Sequence, residues 1–146
     1  RLTQAARRAG VPTPLLRRVD PAGGELVLQH VGDHDLATDP TDVEALATVG
    51  THLAKLHTAG IIHGDLTTRN VRVGGERIYL IDFGLGYHSG HVEDQAMDLH
   101  ILWQSLAGTT DAPGTLFETV TRAYAAAGDD AVLDRLAEID TRGRYR

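Results

Sequence analysis

The chain contains no cysteine. That excludes disulfides, thiolate nucleophiles, iron–sulfur clusters and thiolate zinc sites together. It has no apolar run of the length a membrane span needs, and it does not open on a charged-then-apolar leader. No membrane contact is expected, and the cytoplasm is the expected compartment. Positive charge is not in excess either. Fourteen Lys and Arg against 20 Asp and Glu give a formal charge of −6, which argues against nucleic-acid binding over the whole surface but permits a local patch such as RGRYR at 142–146. There is no internal repeat and no low-complexity tract, and Lys55 is the sole lysine.

What is present is ordinary globular composition, 42% apolar and 23% charged, in a length that suits one domain or one lobe of a larger one. The opening RLTQAARRAG reads as the second half of a helix stopped by Gly10, so an upstream segment is expected. LLRRV and ELVLQHV are β-prone runs around DPAGG, a hairpin. GDHDLATDP reads as a short polar connection. A capping box of Thr41 and Glu44 then opens a helix whose inward face carries Val43, Leu46, Val49, Leu53 and Leu56, ending at Gly60. NVRV and RIYLI pair across Gly74 and Gly75 as a second hairpin. From about Val92 three helices follow, carrying Met97, Ile101, Leu102 and Leu106, then Leu116, Val120 and Tyr124, then Val132, Leu136 and Ile139. Gly, Pro and Asp clusters at 108–114 and 128–130 separate them. The order is α+β, not alternating βαβ.

The chemistry sits around the second hairpin. Asp65 stands five positions before Asn70, and Asp82 comes twelve after it at a strand end, followed by Phe83 and Gly84. Folding the hairpin turns all three polar side chains toward one point. Asn70 and Asp82 offer hard oxygens suited to Mg²⁺ together with phosphate oxygens. Asp65 remains free to orient a hydroxyl or water and accept its proton, the base role in phosphoryl transfer. HxDxxxxN and DFG in this order, with a hairpin between them, form a specific conjunction, whereas either alone is weak. The alternative is that Asp65 and Asn70 cap turns and Asp82 merely ends a strand. His52, His57, His88, His91 and His100 lack metal-ligand spacing and read as polar surface or satisfied packing. Trp103 suits either core or an interface.

HGDLTTRN, IYLIDFGLG and the closely following EDQAMDLHIL make the chain resemble protein-kinase-like phosphotransferases. Within them it is most similar to the small atypical serine/threonine kinase of the KEOPS complex (PRPK type), which acts in threonylcarbamoyl-adenosine modification of tRNA. The likeness runs from AGVPTP to RGRYR. Thr67 and Thr68 follow the catalytic Asp-Leu as in that family. Fifteen residues separate Asp82 from Asp98, so the long activation segment of ordinary protein kinases is absent. The resemblance implies a kinase-like fold, with 1–31 as the remnant of an N-lobe and 32–146 as the helical C-lobe. It implies Asp65 as catalytic aspartate, Asn70 and Asp82 as holders of Mg²⁺ and nucleotide, His63 and Asp98 as supports of the catalytic loop, and the backbone of Gln29 and Val31 as facing adenine. It further implies ATP and Mg²⁺ as cofactors, KEOPS subunits (chiefly the threonylcarbamoyl transferase subunit) as partners, and tRNA contact through Arg142, Arg144 and Arg146. ATP hydrolysis is the family's more relevant output.

Some of the resemblance's parts have no counterpart here. The glycine-rich loop, the strand lysine on the phosphates and its helix glutamate are not in these 146 residues, and Lys55 falls in mid-helix. On its own this stretch is expected to bind ATP weakly and turn over little. Two other readings stay open: a small-molecule phosphotransferase of the aminoglycoside or choline kinase type, which shares HGD and the following Asn, and a docking module without catalysis. The tail arginines also suit a solvated helix end, Asp98 an exposed helix carboxylate, and LVLQHV an ordinary hairpin strand.

Overall fold

The computed structural model describes residues 1–144, with side chains as far as Arg142. Arg146 and the side chain of Arg144 therefore lie outside the described residues. The elements run α1 Leu2–Arg8, β1 Leu16–Asp20, β2 Glu25–Leu28, β3 His34–Asp35, α2 Val43–Thr58, β4 Ile61–Ile62, β5 Val71–Gly74, β6 Arg77–Leu80, β7 Tyr87–His88, α3 Val92–Thr109, α4 Pro113–Ala127 and α5 Asp130–Arg144, with 3₁₀ turns at Leu36–Thr38 and Thr68–Asn70. Three small antiparallel sheets form: β1 with β2, β5 between β3 and β6, and β4 with β7.

The core is helical. Leu46, Leu53 and Leu56 of α2, Leu99, Leu102 and Leu106 of α3, and Val120 and Tyr124 of α4 are all fully buried. Each such side chain contributes about 1.5–3 kcal/mol of transfer free energy. α2 and α4 lie so close that a Cβ added at Gly50 would stand 2.3 Å from the Val120 carbonyl oxygen; only a glycine fits there. Trp103 is half-buried at the edge of this core, its ring 5.6 Å from that of Phe117, so its place is in packing.

Local corrections to the sequence reading have clear causes. α2 is capped by Asp42, whose carboxylate accepts from the Ala45 N–H at 3.1 Å, not by Thr41. Thr41 is instead held by Asp39 through its own N–H and hydroxyl. With the helix starting one residue later, Val43 sits in its first turn, beyond the reach of the core, and is exposed. Met97 is likewise on the outer edge of α3 and exposed. The polar connection contains a strand, β3, whose two residues pair with Val73 and Arg72.

His52 is buried on the inward face of α2. Its Nε2–H donates to the Ile78 carbonyl at 3.0 Å, and Nδ1 has no partner among the described residues. Burial lowers its pKa from the ordinary 6.5, with the Lys55 charge acting the same way and the Ile78 hydrogen bond opposing. The unfolded chain thus takes up a proton near pH 6.5 that the folded chain refuses, so stability is lost as pH falls below that value and the loss ends below the depressed folded pKa. Wild type should lose more stability than His52→Gln between pH 7.5 and 5.5, by up to about 1.4 kcal/mol per pH unit at the steepest. Urea midpoints at the two pH values measure this, and equal losses would refute it.

Candidate active site

Two strand pairings force two loops together. β4 meets β7 through Ile61↔His88 and Ile62↔Tyr87, and β5 meets β6 through Val71↔Leu80 onward. The loops at 63–70 and 81–86 run between the same two clamps, so they must lie side by side. Their contact is tight: Gly64 has φ +86°, and a Cβ there would stand 2.3 Å from the Leu85 carbonyl oxygen. The Ile81 N–H donates to the Asn70 carbonyl at 3.0 Å, which sets Asp82 one residue beyond the asparagine.

Within this frame Asn70 and Asp65 are joined directly. The Asn70 Nδ2 donates to the Asp65 carbonyl at 2.8 Å and approaches its Oδ2 at 3.4 Å. That use of the amide nitrogen leaves Asn70 Oδ1 available to a cation. Asp82 is exposed and has φ +59°, the one positive-φ non-glycine among the described residues. Such a conformation costs on the order of 1 kcal/mol and persists where surrounding contacts impose it, which is typical of functional positions. Asp82 Oδ1 accepts from the Gly84 N–H at 3.3 Å. Asn70 and Asp82 supply two hard oxygen donors. No group of three or more His, Asp or Glu able to hold a metal occurs among the described residues. The pair suits a Mg²⁺ ion shared with phosphate oxygens and does not suit a metal held by protein alone.

His63 braces the loops. It is buried against Phe83, ring centroids 4.6 Å apart. Its Nε2–H donates to the Ile81 carbonyl at 2.8 Å, and its Nδ1 accepts from the Asp65 N–H at 3.2 Å. Asp98, on α3, is no exposed helix carboxylate: it is 1% accessible. Its Oδ2 accepts from the His63 N–H at 2.9 Å and from His57 Nε2 at 3.0 Å, and its Oδ1 from the Gly64 N–H at 2.9 Å. Thr68, buried after the catalytic-type aspartate, is fixed by the Ser105 hydroxyl, which accepts its N–H at 2.9 Å.

A cleft of about 830 Å³ opens beside these loops, lined by Leu26 and Leu28 of β2, by Gln29, His30 and Val31, and by Arg72, Ile81, Asp82, Phe83 and Gly84, with residues of the chain's start. Asp65 and Asn70 are not in its lining; they join it through Ile81. Gln29 and Val31 face it, but only in part with their backbone. The Gln29 N–H donates back to Leu15, and the Val31 carbonyl accepts from Arg72 Nε at 3.0 Å. The Gln29 carbonyl and the Val31 N–H carry no hydrogen bond among the described residues. Lys55 is exposed on α2 beside Gly10, away from the cleft.

The sequence reading missed His57 and Arg72 as site residues. His57 stands four residues after Leu53 on the inward face of α2, and a polar ring there requires a buried partner; that was the available signal. Arg72 alternates with buried Val71 and Val73 on β5, so period-two alternation sends it to the cleft side.

The chain matches the model of the phosphotransferase enzyme family (APH) over residues 4–139. It is 56% identical over 146 residues to a probable bifunctional tRNA threonylcarbamoyladenosine biosynthesis protein of Natronomonas pharaonis, covering all of this chain and 27% of that protein. The protein of the same name in Haloquadratum walsbyi is 54% identical over 145 residues, and that in Methanothermobacter thermautotrophicus 40% over 146, each across 99% of this chain and 27% of the relative. The chain thus spans about a quarter of the length of these curated relatives. In fold it is similar to a choline/ethanolamine kinase family protein from Mesorhizobium loti, with a TM-score of 0.67 at 19% identity over 92% of this chain and 66% of that one. The α+β order read from the elements and the kinase-like architecture implied by the resemblance are therefore the fold found, and with nearly its whole length matched the chain belongs to the phosphotransferase enzyme family.

Proposed function

We propose that this chain is the kinase-like part of a tRNA threonylcarbamoyladenosine biosynthesis protein and that it uses Mg–ATP, chiefly to hydrolyse it, with transfer to a serine or threonine as the lesser output. The observation that carries the reading is the Asp65–Asn70 pair, in which the asparagine amide fixes the aspartate and keeps its own Oδ1 turned to other use. Asp65, so held, takes the proton of the attacking water or hydroxyl. When bound, Mg²⁺ between Asn70 and Asp82 would neutralise phosphate charge. The adenine is received by the Gln29 carbonyl and the Val31 N–H, with Arg72 locking the wall behind them. Residues 1–31 serve as the end of the N-lobe and 32–146 as the C-lobe. Identity of 54–56% to the relatives from Natronomonas pharaonis and Haloquadratum walsbyi supports the pathway; the KEOPS subunits, above all the threonylcarbamoyl transferase unit, are the proposed partners. In the tRNA contact assigned to the basic end, Arg142 would first leave Glu93, 3.2 Å away; an exposed pair of this kind holds it by less than about 1 kcal/mol.

The family and fold likeness also favour a second reading, phosphoryl transfer to a small alcohol or amine. Incubating the full-length protein with γ-labelled ATP separates the two. Mg²⁺-dependent release of labelled phosphate, with no label on choline or an aminoglycoside, is expected. Label on the small molecule would establish the second reading, and neither nucleotide binding nor turnover would overturn both.

No helix among the described residues is long and apolar enough to cross a membrane.

A further inference from the structure

Behind the catalytic-type loop lies a buried chain of polar groups that the proposed chemistry does not use. His57, next to last in α2, meets Asp98 of α3 through Nε2 at 3.0 Å and the hydroxyl of Tyr124 of α4 through Nδ1 at 2.7 Å. The side chains of His57 and Asp98 are 2% and 0% accessible, and Tyr124 is 1% accessible. Three helices are thus pinned at one point, and that point touches the loop amides of His63 and Gly64 through the same carboxylate.

The hydrogen-bond accounting leaves little freedom. The Asp98 carboxylate accepts only, so the His57 nitrogen facing it must carry the proton. In its neutral form the imidazole then presents a lone pair on Nδ1, which needs a donor when buried. Tyr124 is the donor in reach. Burial, with the charges of Asp129 and Asp98 nearby, pushes its phenol above the usual range, so the hydroxyl keeps its proton.

We propose that Tyr124 is a positioning residue: its hydroxyl fixes the Nε2–H tautomer of His57, which in turn holds the Asp98 carboxylate against the His63 and Gly64 amides. Asp98 then offers its lone pairs in one fixed direction, and the loop carrying Asp65 has one conformation. This rests on the reading of that loop as catalytic. The role of the tyrosine is separable from packing, because its ring can be kept while the hydroxyl is removed.

The test is histidine-labelled ¹⁵N NMR of the full-length protein together with ATP turnover. In wild type, His57 should be neutral with an unprotonated, hydrogen-bonded Nδ1. Tyr124→Phe should shift that resonance and the His63 and Gly64 amides, and should lower kcat about tenfold, the scale of lost supporting hydrogen bonds at active sites, with KM for ATP nearly unchanged. Phe117→Leu, a packing change on the same helix, should move neither. A protonated Nδ1 in wild type would overturn the proposal, and that spectrum needs no variant to fold. An unchanged kcat in Tyr124→Phe, or a fall in kcat with the histidine and amide resonances unmoved, would overturn it as well. Lack of turnover in wild type would sink the phosphotransfer reading instead, and the amide shifts in Tyr124→Phe would still decide whether the tyrosine positions the loop.

Discussion

Asp82→Asn is expected to lower ATP turnover by the full-length protein about a thousandfold or more, which corresponds to about 4 kcal/mol of transition-state stabilisation. Asparagine is the apt replacement because it tolerates the left-handed backbone that Asp82 adopts at φ +59°. It keeps an oxygen able to accept from the Gly84 N–H and removes only the negative charge. The fold should therefore be intact, and the loss should be accompanied by a higher Mg²⁺ requirement. Asp65→Asn is expected to lose about 10²–10⁴ in kcat, the range for a general base, while binding of a fluorescent ATP analogue stays near wild type. The two variants differ in kind: the first weakens the cation-dependent hold on phosphate, the second leaves binding and removes the proton acceptor. Titrating Mg²⁺ against turnover for both separates them. Normal turnover in either variant would show that its aspartate has no part in the chemistry.

The placement of those two aspartates on neighbouring loops was legible in the sequence because it is local. Asp65, Asn70 and Asp82 lie within eighteen consecutive residues, and the hairpin that joins them announces itself in Gly74–Gly75 and in the alternating apolar residues on each side. The helices at 92–144 were legible for a similar reason, since their three- and four-residue apolar spacing survives without any knowledge of partners. What escaped were features defined by distant neighbours. His57 finds its partners 41 and 67 residues away, so its identity as a loop support cannot be read from its own segment. β3 has two residues, too few for a period to exist, and becomes a strand only because β5 lies beside it. Val43 and Met97 continue an apolar spacing that the core does not follow to its end. The exposed apolar side chains of β1 and β2, Leu16, Val19, Leu26, Val27 and Leu28, obey strand propensity without the burial that usually goes with it.

The second large effect concerns Asp98, whose importance comes from what it accepts. Three donors converge on its carboxylate, the N–H groups of His63 and Gly64 and Nε2 of His57, and none reaches solvent through it. Asp98→Ala should destabilise the protein by about 3–5 kcal/mol, the scale for removing one partner from a buried charged network and leaving the others unsatisfied. That is a large part of the 5–15 kcal/mol that holds a typical domain together. Asp98→Asn keeps the shape but must turn an NH₂ toward at least one of those donors, so a smaller loss, about 1–3 kcal/mol, is expected. It should also impair turnover under conditions where the variant is fully folded. The same two amides set the start of the loop that carries Asp65, and a displacement of about 1 Å there is enough to cost about a hundredfold in rate. Denaturant midpoints and turnover measured on the same samples distinguish the two consequences. Wild-type values in both for Asp98→Asn would mean that the carboxylate's charge is not needed and that the loop is held by backbone and packing alone.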